Sequence, residues 1–149
     1  LPIYWSTYIE GARDDESNQA LSGIMQVEVR LEFENGTATA TVGELVAAVA
    51  GGTYNADRPW GLRVAVTALG RLGIKVEPPA LGKEGYVLIC NKNDRLTRAL
   101  RGKPWAEDWR SYLKRVRGAK SSQKSYRFTD GQVGRATMVP IDAALPQGD

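Results

Sequence analysis

The chain of 149 residues contains no histidine and a single cysteine, Cys90. The first absence removes the Ser-His and Cys-His pairs behind most nucleophilic catalysis. Together the two absences remove the usual zinc ligand sets. One thiol cannot close an internal disulfide, so no oxidising compartment is needed and a cytoplasmic setting is expected. Cys90 ends the apolar run Tyr86–Cys90 and reads as a buried structural thiol. No apolar run approaches the roughly 18 residues needed to cross a bilayer, so no membrane partner is expected. Neither a G-x-x-x-x-G-K-[ST] nor a G-x-G-x-x-G loop is present to cradle a nucleotide. Asp14, Asp15 and Glu16 form a carboxylate cluster of the kind a metal nuclease uses. Adjacent side chains point in different directions, however, and an acidic helix start accounts for the cluster equally well. The expectation is a non-enzymatic protein without a cofactor or metal. Leu1–Trp5 lacks initiator methionine and the regions of a signal peptide, which suggests a processed chain or a piece of a longer one.

What is present is an average globular composition, 42% hydrophobic and 25% charged, enough for a real core. The net charge of +3 hides a strong asymmetry. Residues 1–34 carry −5, 35–91 carry +1, 92–127 carry +9 and 128–149 carry −2. A +9 block within 36 residues is the electrostatic footprint expected of a polyanion binder, with a solvated basic helix face as the bland alternative.

Along the chain, residues 1–16 form an arm bearing Tyr4, Trp5 and Tyr8. Residues 17–34 support two readings. Val27, Val29, Leu31 and Phe33 alternate with charged residues, as in a strand. Ala20, Ile24, Val27 and Leu31 also share one helical face, between an acidic start and an Asn35-Gly36 stop. A helix over 17–34 is expected because it suits the elements C-terminal to it. Thr37–Thr41 reads as a brief strand. Thr41-Val42-Gly43-Glu44 is a capping box opening a helix that ends at Gly51-Gly52. Arg58-Pro59 opens a second helix running to Leu72 and stopping at Gly73. In it Leu62, Ala65, Val66, Leu69 and Leu72 should face the core. Ile74–Glu77 and Tyr86–Cys90 then read as strands either side of a turn-rich loop.

That order resembles the winged-helix form of helix-turn-helix proteins over residues 17–91. The carriers are TVGELVAAV, RPWGLRVAVTALGRLG and the hairpin IKVEPP…GKEGYVLIC. The tail NDRLTRALRGKPWAEDWRSYLKRVRGA also resembles regions following the ATPase core of phage and mobile-element primase-helicases. The fold class expected is therefore α+β: a winged helix-turn-helix core, then a basic helical extension and C-terminal β-hairpin over 92–149.

The resemblance implies DNA binding, with the second helix of the pair in the major groove and the wing on the backbone or minor groove. Arg63, Thr67 and Arg71, spaced four apart, become candidate base readers. Asn55, Arg58, Lys75 and Lys83 become candidate phosphate contacts. In the extension, Asn93 caps a helix that turns Arg95, Arg98 and Arg101 outward. A second helix over Trp105–Val116 places Trp105, Trp109, Tyr112, Leu113 and Val116 in one apolar stripe. Arg110, Lys114 and Arg117 lie opposite, and with Arg95 and Arg98 are expected to touch phosphate. The tryptophans suit base stacking in principle, but at helical spacing a docking role in the core is expected. Lys120–Lys124 reads as a loop and Ser125–Val139 as a hairpin around Asp130-Gly131. The function expected is nucleic-acid binding, with duplex DNA favoured over single strand or RNA, in phage or plasmid replication or transcription control. The competing expectation is a protein-interaction or assembly domain of a larger replication machine, with a protein partner or homodimer.

Overall fold

Ala20, Leu21, Ile24 and Met25 recur at helical spacing, and a helix over 16–25 (α1) buries all four. The computed structural model describes residues 16–51, 58–128 and 131–145. The N-terminal arm expected over 1–16, with Tyr4, Trp5 and Tyr8, therefore falls almost wholly outside the described residues.

The helix does not continue to residue 34 as expected. It stops at Met25, and Glu28–Phe33 (β1) pairs antiparallel with Gly36–Thr41 (β2), Leu31 opposite Ala38 and Val29 opposite Ala40. The physical reason lies in Val29 and Phe33. A continued helix would set them on the side away from Ala20 and Ile24. The extended chain instead turns Val29, Leu31 and Phe33 to one face, packed on the core, and leaves Glu28, Arg30 and Glu32 outside. The winged-helix resemblance has a single strand between the first two helices. Here a hairpin stands there, in a sheet of its own.

Val42–Gly51 (α2) starts on the expected capping box. Thr41 Oγ1 accepts the Glu44 amide at 3.1 Å, and the Thr41 amide donates to Glu44 Oε1 at 3.3 Å. Leu62–Arg71 (α3) begins at Gly61 and not at Arg58-Pro59, because the Gly61 carbonyl receives the first amides, those of Val64 and Ala65. Its buried arc is Ala65, Ala68 and Leu69, and α3 packs on α2 along it. Gly73 ends it with φ +73°, and a Cβ at that position would lie 2.5 Å from Asn93 Nδ2.

Next come Ile74–Glu77 (β3) and Tyr86–Cys90 (β4), an antiparallel hairpin as expected. Asp94–Ala99 (α4) follows on its Asn93 cap, the side chain accepting the Leu96 amide at 2.8 Å. The second extension helix is shorter than expected. Ala106–Asp108 is a 3-10 turn and only Trp109–Lys114 (α5) is α-helical. Lys120–Ser121, expected in a loop, is a short strand (β5). Tyr126–Arg127 (β6) and Val133–Gly134 (β7) form the expected hairpin, but only two residues long on each side. The chain then continues as Ala136–Pro140 (β8) and Ile141–Ala144 (α6).

β8 leaves the hairpin because β4 has an open edge. The main sheet runs β3-β4-β8-β5, antiparallel throughout, so the C-terminal segment and the hairpin β3–β4 share one sheet. One face carries Ile74, Val76, Val87, Ile89 and Val139 into the main core, where they meet the helices. On the other face Leu88, Cys90 and Ala136 are covered by Phe128. The protein is thus α+β.

Asn93 joins these layers. It is 2% exposed, caps α4, and donates from Nδ2 to the Leu72 carbonyl at the end of α3. Asn93→Ala removes the cap and leaves that buried carbonyl without its donor. The expected cost is about 2–4 kcal/mol, read as a lowered urea midpoint.

Candidate nucleic-acid interface

The outward side of α3 holds the row expected from its spacing. Arg63 and Arg71 are exposed and Thr67 is half-buried between them. The row borders a cleft of about 220 Å³ whose opposite wall is β1, with Arg30, Leu31 and Glu32. Arg30 is not among the expected site residues. Its signal is the alternation of 28–33, since Arg30 reaches this cleft as part of the strand β1. Among the described residues, the ion pairs are Arg58–Glu44 at 3.1 Å and Arg110–Asp94 at 3.9 Å. Arg30, Arg63 and Arg71 thus form no ion pair with a described carboxylate, and Glu32 is the one acidic side chain lining their cleft.

Two apolar side chains stand beside the row. Leu62 and Val66, expected in the core, are 38% and 47% exposed. They lie at the edge of the arc centred on Ala65, Ala68 and Leu69, and Val66 borders a cavity of about 210 Å³ with Val49 and Phe128.

Beyond α3 the hairpin β3–β4 ends in a tight turn. Ala80 and Lys83 exchange backbone hydrogen bonds at 3.1 and 2.8 Å, and Gly82 takes φ +75°. Lys83 and a fully exposed Leu81 stand at this tip. Lys75 points from β3 to the sheet's outer face, where its ammonium lies 5.8 Å from the Tyr126 ring.

The remaining candidates separate into free and engaged groups. Arg58 is engaged, paired to Glu44 and stacked 5.3 Å over Trp60. Arg110, expected on phosphate, is engaged more heavily. Its Nε donates to the Asn91 carbonyl at 2.6 Å and its Nη2 to the Asn93 carbonyl at 2.8 Å. It clamps α5 to the end of β4. Arg95 donates to the Arg71 carbonyl at 2.9 Å, which sets its charge at the C-terminal end of the α3 row. Arg98 lines a separate cleft of about 460 Å³ with Arg101 and Lys103. Lys114 and Arg117 are exposed, on α5 and just beyond it. Asn55 lies outside the described residues. The structure thus brings Arg63, Thr67, Arg71 and Arg30 to one cleft with Arg95 near its end, and does not bring Arg98, Lys114 or Arg117 into it.

Trp109 cannot stack on a base. It is 1% exposed, and its indole N–H donates to Thr97 Oγ1 at 2.8 Å. Trp105 packs on Gly23, with the ring edge where a Cβ would stand. Among the described residues no group of acidic, histidine or cysteine side chains is placed to hold a metal ion. No described helix is long and apolar enough to cross a membrane.

Arg110 and Lys114 are expected to part company on substitution. Arg110→Ala should lower stability by about 1–3 kcal/mol, since it strips two carbonyls of charged donors. Lys114→Ala should stay within about 0.5 kcal/mol of the parent. Paired urea melts check both. Compared with known proteins, the chain matches no family model, no curated protein and no solved structure.

Proposed function

We propose that the chain is a duplex-DNA-binding protein that uses α3 and the β3–β4 hairpin in the manner of a winged helix. The observation that carries this reading is the row Arg63, Thr67 and Arg71 on the outward side of a helix followed at once by a hairpin, with Arg30 of β1 across the cleft and no ion pair to a described carboxylate at any of the three guanidinium groups. Arginine forks suit guanine O6 and N7 in the major groove, and the neighbouring Leu62 and Val66 suit thymine methyl groups. Lys83 at the hairpin tip meets phosphate, with Leu81 entering the minor groove beside it. Arg95, Arg98, Lys114 and Arg117 add sequence-independent attraction to the backbone. No reaction and no cofactor belong to this reading, and a role in replication or transcription control on phage or plasmid DNA accords with it.

A second reading, a protein-assembly domain, draws on the same exposed Leu62 and Val66, which suit an apolar partner surface.

Two double variants separate the parts played by the basic groups. Arg63→Ala with Arg71→Ala should flatten the sequence preference selected from a random duplex pool, by about tenfold or more in discrimination. Lys114→Ala with Arg117→Ala should weaken all duplexes alike and reduce the slope of log K against log salt by about 2. Unchanged duplex binding in both variants would sink the reading and favour the assembly domain.

A further inference from the structure

The outer face of the main sheet is only partly covered. Register places Lys75, Leu88, Met138 and Lys120 in one row across all four strands, with a cation at each edge and apolar side chains between. The β6–β7 hairpin brings Phe128 down on Leu88 and Cys90, and Tyr86, Tyr126 and Met138, packed around them, stay half-exposed. Of the two tyrosines, Tyr86 is on β4 and Tyr126 on β6.

The two rings are held alike. The Tyr86 hydroxyl donates to Glu84 at 3.3 Å and the Lys120 ammonium lies 4.9 Å from its ring. The Tyr126 hydroxyl lies near the Glu77 carboxylate, and two ammonium groups, Lys124 at 5.1 Å and Lys75 at 5.8 Å, lie over its ring. Burial, and then the Glu77 carboxylate, hold the Tyr126 hydroxyl above its ordinary pKa, so it remains a donor. Each ring packs in part on the cluster of Leu88, Cys90 and Phe128, and lysine ammonium groups lie over what remains half-exposed. An ammonium over a ring is a weak partner compared with a phosphate.

We propose that this face binds single-stranded nucleic acid, with bases stacked on Tyr86 and Tyr126 and phosphates on Lys75, Lys120 and Lys124. A base displaces the ammonium from the ring, and the ammonium turns to the phosphate that arrives with it. Ring faces on an open sheet reach unstacked bases and not those inside a duplex, so the ligand is single-stranded. The three lysines outnumber the nearby Glu77 and Glu84, and that balance favours a polyanion. The surface lies on the sheet and shares no residue but Lys75 with the α3 and hairpin-tip assignment, and it stands or falls without that assignment.

The test is anisotropy of the full chain with a labelled oligothymidylate of about a dozen nucleotides, run beside a labelled duplex. Tyr86→Leu and Tyr126→Leu should each weaken the oligothymidylate by about tenfold and leave duplex binding within about twofold of the parent. Lys120→Gln with Lys124→Gln, both exposed and harmless to the fold, should reduce the single-strand salt slope by about 1.4. This pair decides the matter if a tyrosine variant fails to fold. Absence of oligothymidylate binding at low salt overturns the proposal. So does binding that survives the lysine pair with its salt slope intact, or that is lost only with Arg63→Ala and Arg71→Ala.

Discussion

The three residues after β4 hold the layers of the protein in place. Asn91 accepts Arg110 from α5 on its carbonyl and the Thr137 hydroxyl of β8 on its side chain, the latter at 2.9 Å. The Lys92 carbonyl accepts Gln132 from the β6–β7 turn at 2.9 Å. Asn93 caps α4, donates to the end of α3 and receives Arg110 and Thr97 on its carbonyl. Apart from the exposed Gln132 bond these contacts are buried or part-buried, where a bond left unmade costs part or all of the desolvation of its group. The consequence reaches across the molecule. With α3, α4, α5 and β8 tied to one point, β8 is delivered to the open edge of β4, and the helices stay on one face of the sheet.

This arrangement explains why some elements can be read from the sequence and others cannot. The capping box at Thr41–Glu44, the Asn93 cap and the hairpin β3–β4 all rest on contacts between residues near in sequence, and these are legible. So is the stripe of Trp109, Leu113 and Val116, because its helical period is unambiguous. The segment 25–34 is not. Val27 and Leu31 satisfy both periods, and the choice is made by Val29 and Phe33 together with a partner, the alternating Thr and Ala of β2, whose register only the folded hairpin displays. β8 is hidden for the same reason. Locally Ala136–Pro140 continues a hairpin, but β4, some fifty residues earlier, offers the better edge.

The candidate site divides along similar lines. The spacing of Arg63, Thr67 and Arg71 is enough to place them together, whereas Arg30 joins them only through the strand that the helical reading hides. Arg110 shows the converse. Its place in a basic row suggests phosphate, yet two backbone carbonyls within hydrogen-bond reach engage its guanidinium. Charge counted along a sequence does not separate cations that face solvent from cations that hold the fold.

Duplex DNA lying against α3 and the hairpin tip would perturb the amides of those two elements before any others. Amide NMR of the isotope-labelled chain, titrated with a short duplex at low salt, reads this directly. The expected shifts concentrate at residues 62–71 and 80–85, with smaller ones around Arg95, Arg98, Lys114 and Arg117 that fade first as salt rises. A titration that moves other amides and leaves 62–71 and 80–85 in place, or that moves none, would rule out this mode of binding.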